Sequence, residues 1–234
     1  MEPLVSVIIT TKNEEKYLEP TLKAIKNQSY SNVEIIVTDS CSSDNTVKIA
    51  RKYADKVVIK KTNIAEGKNL GAKYASGEFL VFVSADAILD KNWIKNAMKQ
   101  FERKNVVMMA GIYTFIEKSI LSRISGWLWK LVTFSTYKIG FFHASGDCTI
   151  MIKKTNFYSI NCFREDLVNM EDADFVKRMR KTGNVVLEKK CKCMASARRF
   201  EKEGYIKWSL IWFITGTYYY LTGKSLLRFY KTVR

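Results

Sequence analysis

The run Phe79-Leu80-Val81-Phe82-Val83 is apolar throughout and stops abruptly at Ser84-Ala85-Asp86. A short stretch rich in aromatic and β-branched residues suits a strand buried in a parallel sheet. The C-terminal end of such a strand is where open α/β sheets bind ligands. Leu4–Thr10 has the same form and ends in Thr11-Lys12-Asn13; Val33–Thr38 ends at Asp39; Val57–Ile59 is shorter. Helical spacings lie between these runs. Tyr17, Leu18, Thr21, Leu22 and Ile25 form one, with Pro20 in its first turn. Val47, Ala50 and Tyr53 form another behind a cap at Asp44, and Asn63–Ala75 holds Gly67 and Gly71. After Asp86, Asp90-Lys91-Asn92 caps a helix carrying Trp93, Ile94, Ala97, Met98 and Phe101. This alternation predicts parallel βαβ units. Right-handed crossovers then bring the strand ends Thr10–Lys12, Asp39 and Ser84–Asp86 to one edge. Asp86 alone reads as a cap for the next turn; on a shared edge it becomes a candidate metal ligand.

The pattern changes after Val106–Glu117, another strand-like run. Ile120, Leu121, Ile124, Trp127, Leu128 and Leu131 lie at helical spacing, with Arg123 and Lys130 off that stripe. An amphipathic helix packed on the sheet and an interfacial helix both fit, since tryptophans beside basic residues suit a headgroup zone. His143–Ile152 reads as a small-residue loop entering a strand. His143 is the only histidine, and a lone histidine is ordinarily structural. Glu171, Asp172 and Asp174 open a helix that ends in Lys177, Arg178, Arg180 and Lys181, a charge order that suits the helix dipole. Val185–Glu188 and Cys193–Ala195 read as two closing strands.

Ile206–Leu221 is apolar or aromatic on nearly every side. It reads as a packed C-terminal helix or as one lying on a bilayer, where Lys202, Lys207, Lys224, Arg228, Lys231 and Arg234 would meet anionic lipid. Tyr218, Tyr219 and Tyr220 favour the bilayer, because buried hydroxyls need partners. No uninterrupted apolar run reaches the ~18 residues of a spanning helix. Met1-Glu2-Pro3 leads directly into a strand-like run, so no leader segment is expected.

The formal net charge of +16 calls for an anionic partner: nucleic acid, a phosphate-bearing substrate or an anionic membrane. The basic residues are spread along the chain without a nucleic-acid motif, so no nucleic-acid partner is expected. Five cysteines carry no zinc spacing; Cys191 and Cys193 lack a partner pair and read as two packed, reduced thiols. A reducing, cytosolic compartment follows.

Four blocks occur in order: VSVIITTKNEE, VEIIVTDSCSSDNT, EGKNLGAKYASGEFLVFVSAD and NMEDADFVKRMRKTG. The ordered set resembles the inverting family 2 glycosyltransferases of the GT-A fold. The resemblance implies an α/β, Rossmann-like, mostly parallel sheet flanked by helices, with C-terminal aromatic helices. It implies a nucleotide-sugar-binding half over 1–117, an acceptor and catalytic-base half of the same domain over 118–204, and an aromatic-basic segment over 205–234. It further implies a UDP- or GDP-sugar donor, a divalent Mg²⁺ or Mn²⁺, and an acceptor glycan or polyprenyl-linked lipid at the cytoplasmic membrane face. Thr10, Lys12 and Asp39 would hold the nucleobase, with Lys12 where many relatives place an aromatic. Lys68 would meet the nucleotide's charge. Ser84-Ala85-Asp86 stands where the family usually carries Asp-x-Asp; Asp86 would bind the metal and Ser84 would face the ribose or a metal-bound water. Asp172 would be the base, beside Glu171, and Arg198 and Arg199 would reach the diphosphate. A catalytically lapsed nucleotide-sugar-binding protein of the same fold is the first alternative, and a basic nucleic-acid-binding protein, resting on the charge of +16 alone, is the second.

Overall fold

The computed structural model describes residues 2–117, 119–138 and 149–226. In chain order it contains β1 (Val5–Thr11), α1 (Leu18–Lys26), β2 (Val33–Asp39), α2 (Thr46–Tyr53), β3 (Lys56–Ile59), α3 (Ile64–Tyr74) and β4 (Phe79–Ser84). Then follow β5 (Ala87–Leu89), α4 (Trp93–Met98), β6 (Val106–Phe115), α5 (Ile120–Lys138), β7 (Thr149–Lys153) and α6 (Lys154–Ser159). The last elements are α7 (Glu171–Met179), β8 (Asn184–Ala195), α8 (Arg198–Glu203) and α9 (Tyr205–Thr222). One sheet runs through the chain in the order β3-β2-β1-β4-β7-β6-β8-β5.

The first four strands of that order are parallel, as the alternation predicts. β7 then lies antiparallel between β4 and β6, and β6 runs parallel to β8. Register fixes the edge. Thr10 pairs with Ser84 across β1 and β4, and Thr11 pairs with Asp39 across β1 and β2.

Strand alternation divides the core. Val7, Ile9, Val81 and Val83 face α1, α2 and α4 through Leu18, Leu22, Ile25, Ala50 and Trp93. Ile8, Ile36, Leu80 and Phe82 face the other way, onto Ala72, Phe157, Phe163 and Phe175. Opposite faces carry residues of consecutive number because side chains alternate along a strand.

Several expectations change. Asp44 stands one residue before the N-cap Asn45; its carboxylate accepts from the Thr46 N–H and hydroxyl. The two closing strands are one, β8. Its register against β6 jumps: Ala110 pairs with Leu187, but Ile112 pairs with Lys192, so residues between are looped out of the ladder. β5 and α8 have too few residues to carry a readable period. Cys191 and Cys193 are buried side by side in the core, unpaired as thiols, as expected.

The aromatic helices are inside out. On α5 the apolar stripe of Ile120, Leu121, Ile124, Trp127, Leu128 and Leu131 is exposed, Ile120 to 76%. Ser122, Ser125, Gly126 and Thr133 are its buried side. Of the two readings the sequence leaves open for this helix, the one laid apolar-side down on the sheet is not what the structure has. On α9, Ile206, Leu210, Phe213, Ile214 and Leu221 face out, while Trp208, Thr215, Gly216 and Tyr219 face in. Tyr219 also corrects the expectation that the tyrosines avoid a dry core: it is buried, and its hydroxyl donates to Asp174 Oδ1 at 2.7 Å. The two helices leave one aromatic cluster, in which Phe200 meets Phe115, Trp129 and Tyr205. No described helix is long and apolar enough to cross a membrane.

Candidate active site

The polar ends of β1 and β2 are stitched together. Asn13, in the left-handed region at φ 53°, accepts at its side chain from Ser43 N–H and donates its own N–H to Ser42 Oγ. Glu14 N–H donates to Thr46 Oγ1, and Glu15 Oε2 accepts from Asn45. Asp39 is buried between these loops. Its carboxylate accepts from Thr11 Oγ1 at 2.9 Å and from the Ser42 N–H at 2.7 Å, so it organises the turn after β2. Lys12 is half-buried just past β1.

Arg198 closes the neighbouring part of the edge. Its guanidinium makes a bidentate pair with Glu14 at 2.7 Å on each arm, and Nη2 lies 3.2 Å from Asp86 Oδ2. It also stacks over the Tyr17 ring at 4.4 Å. Burial works against its charge, but Glu14 and Asp86 outweigh burial and raise its pKa. Glu117 aims this arginine: its two carboxylate oxygens accept from Ser196 Oγ and the Ala197 N–H, the two residues before it. Arg199 turns away and stacks over Trp208 at 4.7 Å, so the structure does not bring it to the strand edge with Arg198.

The acidic start of α7 is tied to the 1–117 half of the chain. Gly67 lets α3 approach β1, since a Cβ there would sit 2.9 Å from Thr10 Cγ2. The next residue, Lys68, is buried and pairs with Glu171 Oε1 at 2.9 Å, with Phe163 beneath it at 5.0 Å. In the structure Lys68 takes part in a buried ion pair that locates α7. Asp172, the next residue, is half-buried; its Oδ1 accepts from the Ala173 N–H at 2.8 Å. Two residues on, Asp174 is held by Arg178 at 2.6 Å and by Tyr219. Burial and the negative charge of Asp172 both push the Tyr220 phenol upward.

The sequence alone does not single out Glu14 or Glu117. Glu14 stands in the polar tail of the first strand, the one local signal it offers; Glu117 had none. His143 lies outside the described residues.

Asp86 is an oxygen donor at the sheet edge, its side chain 17% exposed, with a guanidinium already beside it. Among the described residues no cluster of three metal-ligating side chains exists. The site thus fits a hard divalent cation that takes one carboxylate from the protein and the rest of its oxygens from phosphates, the manner in which Mg²⁺ is ordinarily bound.

An open α/β sheet with hydroxyls and carboxylates along its carboxyl edge, faced by a second acidic helix start, defines the GT-A class. The mannosyltransferase PcManGT from Pyrobaculum calidifontis, solved in complex with GDP-Man and Mn²⁺, has this fold, with a TM-score of 0.70 at 21% identity over 89% of this chain and 60% of its own. The chain belongs to glycosyl transferase family 2, whose family match covers residues 6–157. It is 31% identical over 126 residues to glycosyltransferase GlyG of Streptococcus pneumoniae, covering 51% of this chain and 42% of GlyG. It is 31% identical over 121 residues to the UDP-Glc:alpha-D-GlcNAc-diphosphoundecaprenol beta-1,3-glucosyltransferase WfgD of Escherichia coli, covering 50% of this chain and 48% of WfgD. The match therefore spans less than half the length of either relative. Glu171 and Asp172 lie beyond the family match.

Proposed function

We propose that the protein is an inverting glycosyltransferase that moves a sugar from a nucleoside diphosphate to a hydroxyl or lipid-phosphate acceptor at an anionic membrane surface. The observation that carries this is the division between adjacent carboxylates. Glu171 is buried on Lys68, while Asp172 stands half-exposed in the first turn of α7. Glu171 locates the helix; Asp172 receives the proton.

An acceptor oxygen attacks the anomeric carbon from the face opposite the diphosphate, and Asp172 takes its proton where the acceptor is a hydroxyl. The new C–O bond forms as the bond to the diphosphate breaks, and the nucleoside diphosphate leaves with the electron pair. Arg198 stabilises that leaving charge, and Asp86 orients the phosphates. A divalent cation on Asp86, when bound, supplies further neutralisation of the diphosphate. Asp39 and the 13–15 and 42–46 loops frame the nucleobase end of the site.

The outward apolar stripes of α5 and α9 support the membrane location. Residues 118–138 and 204–234 contain no Asp or Glu, while Arg123, Lys130, Lys207 and Lys224 lie among or beside the apolar residues. Helices whose own charged residues are all basic match an anionic headgroup layer, with Lys207 also paired to Glu203 at 3.7 Å. A lipid-linked acceptor accords with WfgD, whose name specifies a diphosphoundecaprenol substrate.

The test is to incubate the chain with UDP- and GDP-sugars and Mn²⁺ and measure nucleoside diphosphate release, with Asp172→Asn as control. Full activity in Asp172→Asn removes the base. Ser84 in place of the usual acid favours the second reading, a lapsed donor-binding protein. Calorimetric donor binding without release on any acceptor selects that reading.

A further inference from the structure

The start of α7 is under strain. Met170, its N-cap residue, sits in the left-handed region at φ 67°, directly before Glu171 and Asp172, with no side-chain cap bond. A bulky non-glycine residue holds such a conformation only when its surroundings impose it. Here the surroundings come from α9. Met170 is buried with Leu167, Ala173 and Tyr219. Tyr219 donates to Asp174, and Arg178 ties Asp174 to the Ile160 and Cys162 carbonyls. Arg164 Nη1 donates to the Gly223 carbonyl at 3.1 Å, and Ser225 Oγ donates to Asn169 Oδ1. The last turn of α9 and the residues after it thus grip both α7 and the segment leading into it. The other side of the same helix is the exposed stripe of Ile206, Leu210, Phe213, Ile214 and Leu221.

We infer that Tyr219 is a positioning residue for Asp172: through Asp174 it makes the setting of the base follow the seating of α9, which the anionic bilayer fixes from the other side. This rests on the reading of Asp172 as base and of α9 as bilayer-facing. Lys177 lies over the Tyr219 and Tyr220 rings at 5.6 Å and closes the same contact from α7. Tyr219 touches no reacting atom in this account. It acts on where Asp172 points, so its loss changes turnover and leaves donor affinity alone.

The experiment compares the full chain with Tyr219→Phe, which keeps the ring and removes the hydroxyl, and with Ser225→Ala, which loosens the same grip independently. Phosphatidylglycerol–phosphatidylcholine vesicles are the probe, with pure phosphatidylcholine as control. Hydrogen exchange of the 171–179 amides, vesicle co-sedimentation, and kcat and KM for nucleoside diphosphate release are measured. In the wild type, anionic vesicles slow exchange at α7 and raise kcat at constant donor KM. Tyr219→Phe sediments with vesicles as the wild type does, keeps donor KM, loses the slowed exchange, and drops kcat by about tenfold, the scale of a displaced catalytic group. Ser225→Ala moves both readouts the same way by less. Wild-type exchange and kcat in both variants, with vesicle binding intact and Asp172→Asn inactive, overturns the inference alone. Wild-type chain that ignores anionic vesicles, or an active Asp172→Asn, overturns the underlying reading and the inference with it. Should Tyr219→Phe not fold, Ser225→Ala with unchanged α7 exchange on vesicles still overturns it.

Discussion

Lys68 Nζ lies 2.9 Å from Glu171 Oε1, both side chains buried, across 103 positions of sequence. This pair locks the helix that follows β3 to the helix that carries Asp172. Removing one partner strands a buried charge, so Lys68→Met costs about 3–5 kcal/mol in urea denaturation. The double variant Lys68→Met with Glu171→Gln costs less than that single change, because no charge is left uncompensated.

Asp172→Asn keeps the shape of the first turn of α7 and removes the proposed proton acceptor. Turnover falls by about 10²–10⁴-fold. Donor binding by calorimetry stays at the wild-type level, because the proposed donor contacts lie along the strand edge.

Arg198 is a resident cation beside Asp86. Arg198→Gln therefore binds Mn²⁺ more tightly than the wild type in the absence of nucleotide, read by the loss of the free Mn²⁺ electron paramagnetic resonance signal. Chelation with EDTA abolishes nucleoside diphosphate release in the wild type, and Mn²⁺ restores it. Unchanged Mn²⁺ affinity in the variant would mean that the guanidinium and the metal do not compete.

The thiols separate by environment. Cys41 is exposed, whereas Cys191 is buried and burial pushes its thiol far upward; burial also raises Cys162. In a Cys148→Ser background, a thiol-reactive disulfide reagent labels Cys41 first and Cys191 only on unfolding. Rapid labelling of Cys191 in the native protein would contradict the packing of β8 on Trp93.

Glu34 makes stability depend on acid. Burial alone would raise its pKa, but the Ser6 hydroxyl, the Ser76 N–H and the Lys56 ammonium together hold it below the ordinary glutamate value. Its contribution is complete above the unfolded-state pKa and disappears as pH falls through the lower folded-state value. Glu34→Gln flattens this part of the acid limb of a denaturation profile.

Much of this could be read in the sequence. The strands through Asp86 are short, apolar and sharply ended, and parallel topology alone brings Thr10, Asp39 and Ser84 into one register-matched edge. What escaped had physical reasons. Periodicity tells which residues of α5 share a face, but not whether that face meets the sheet or the solvent; α9, apolar on nearly every side, offers no such stripe. The family resemblance puts Lys68 beside the nucleotide, and nothing near it in the sequence announces Glu171. Glu117 sets Arg198 through the Ser196 hydroxyl and the Ala197 N–H, a relation visible only once β6 and β8 lie side by side. Arg198 and Arg199 look equivalent as neighbours, yet successive side chains at the start of α8 diverge to different partners.

The irregular register of β8 gives the strand the character of a gauge. Between Leu187 and Lys192 it advances five residues while β6 advances two, and from there Ile112–Phe115 match Lys192–Ala195 one for one. Glu117 then fastens the next two residues before Arg198. Slack is confined to one side of the ruled segment. An inserted residue between Glu188 and Lys190 only enlarges a bulge, whereas one inserted after Ala195 carries the guanidinium past Glu14 and Asp86. The spacing from Lys192 to Arg198 is therefore a fixed length in this chain, as firmly set as any side chain within it.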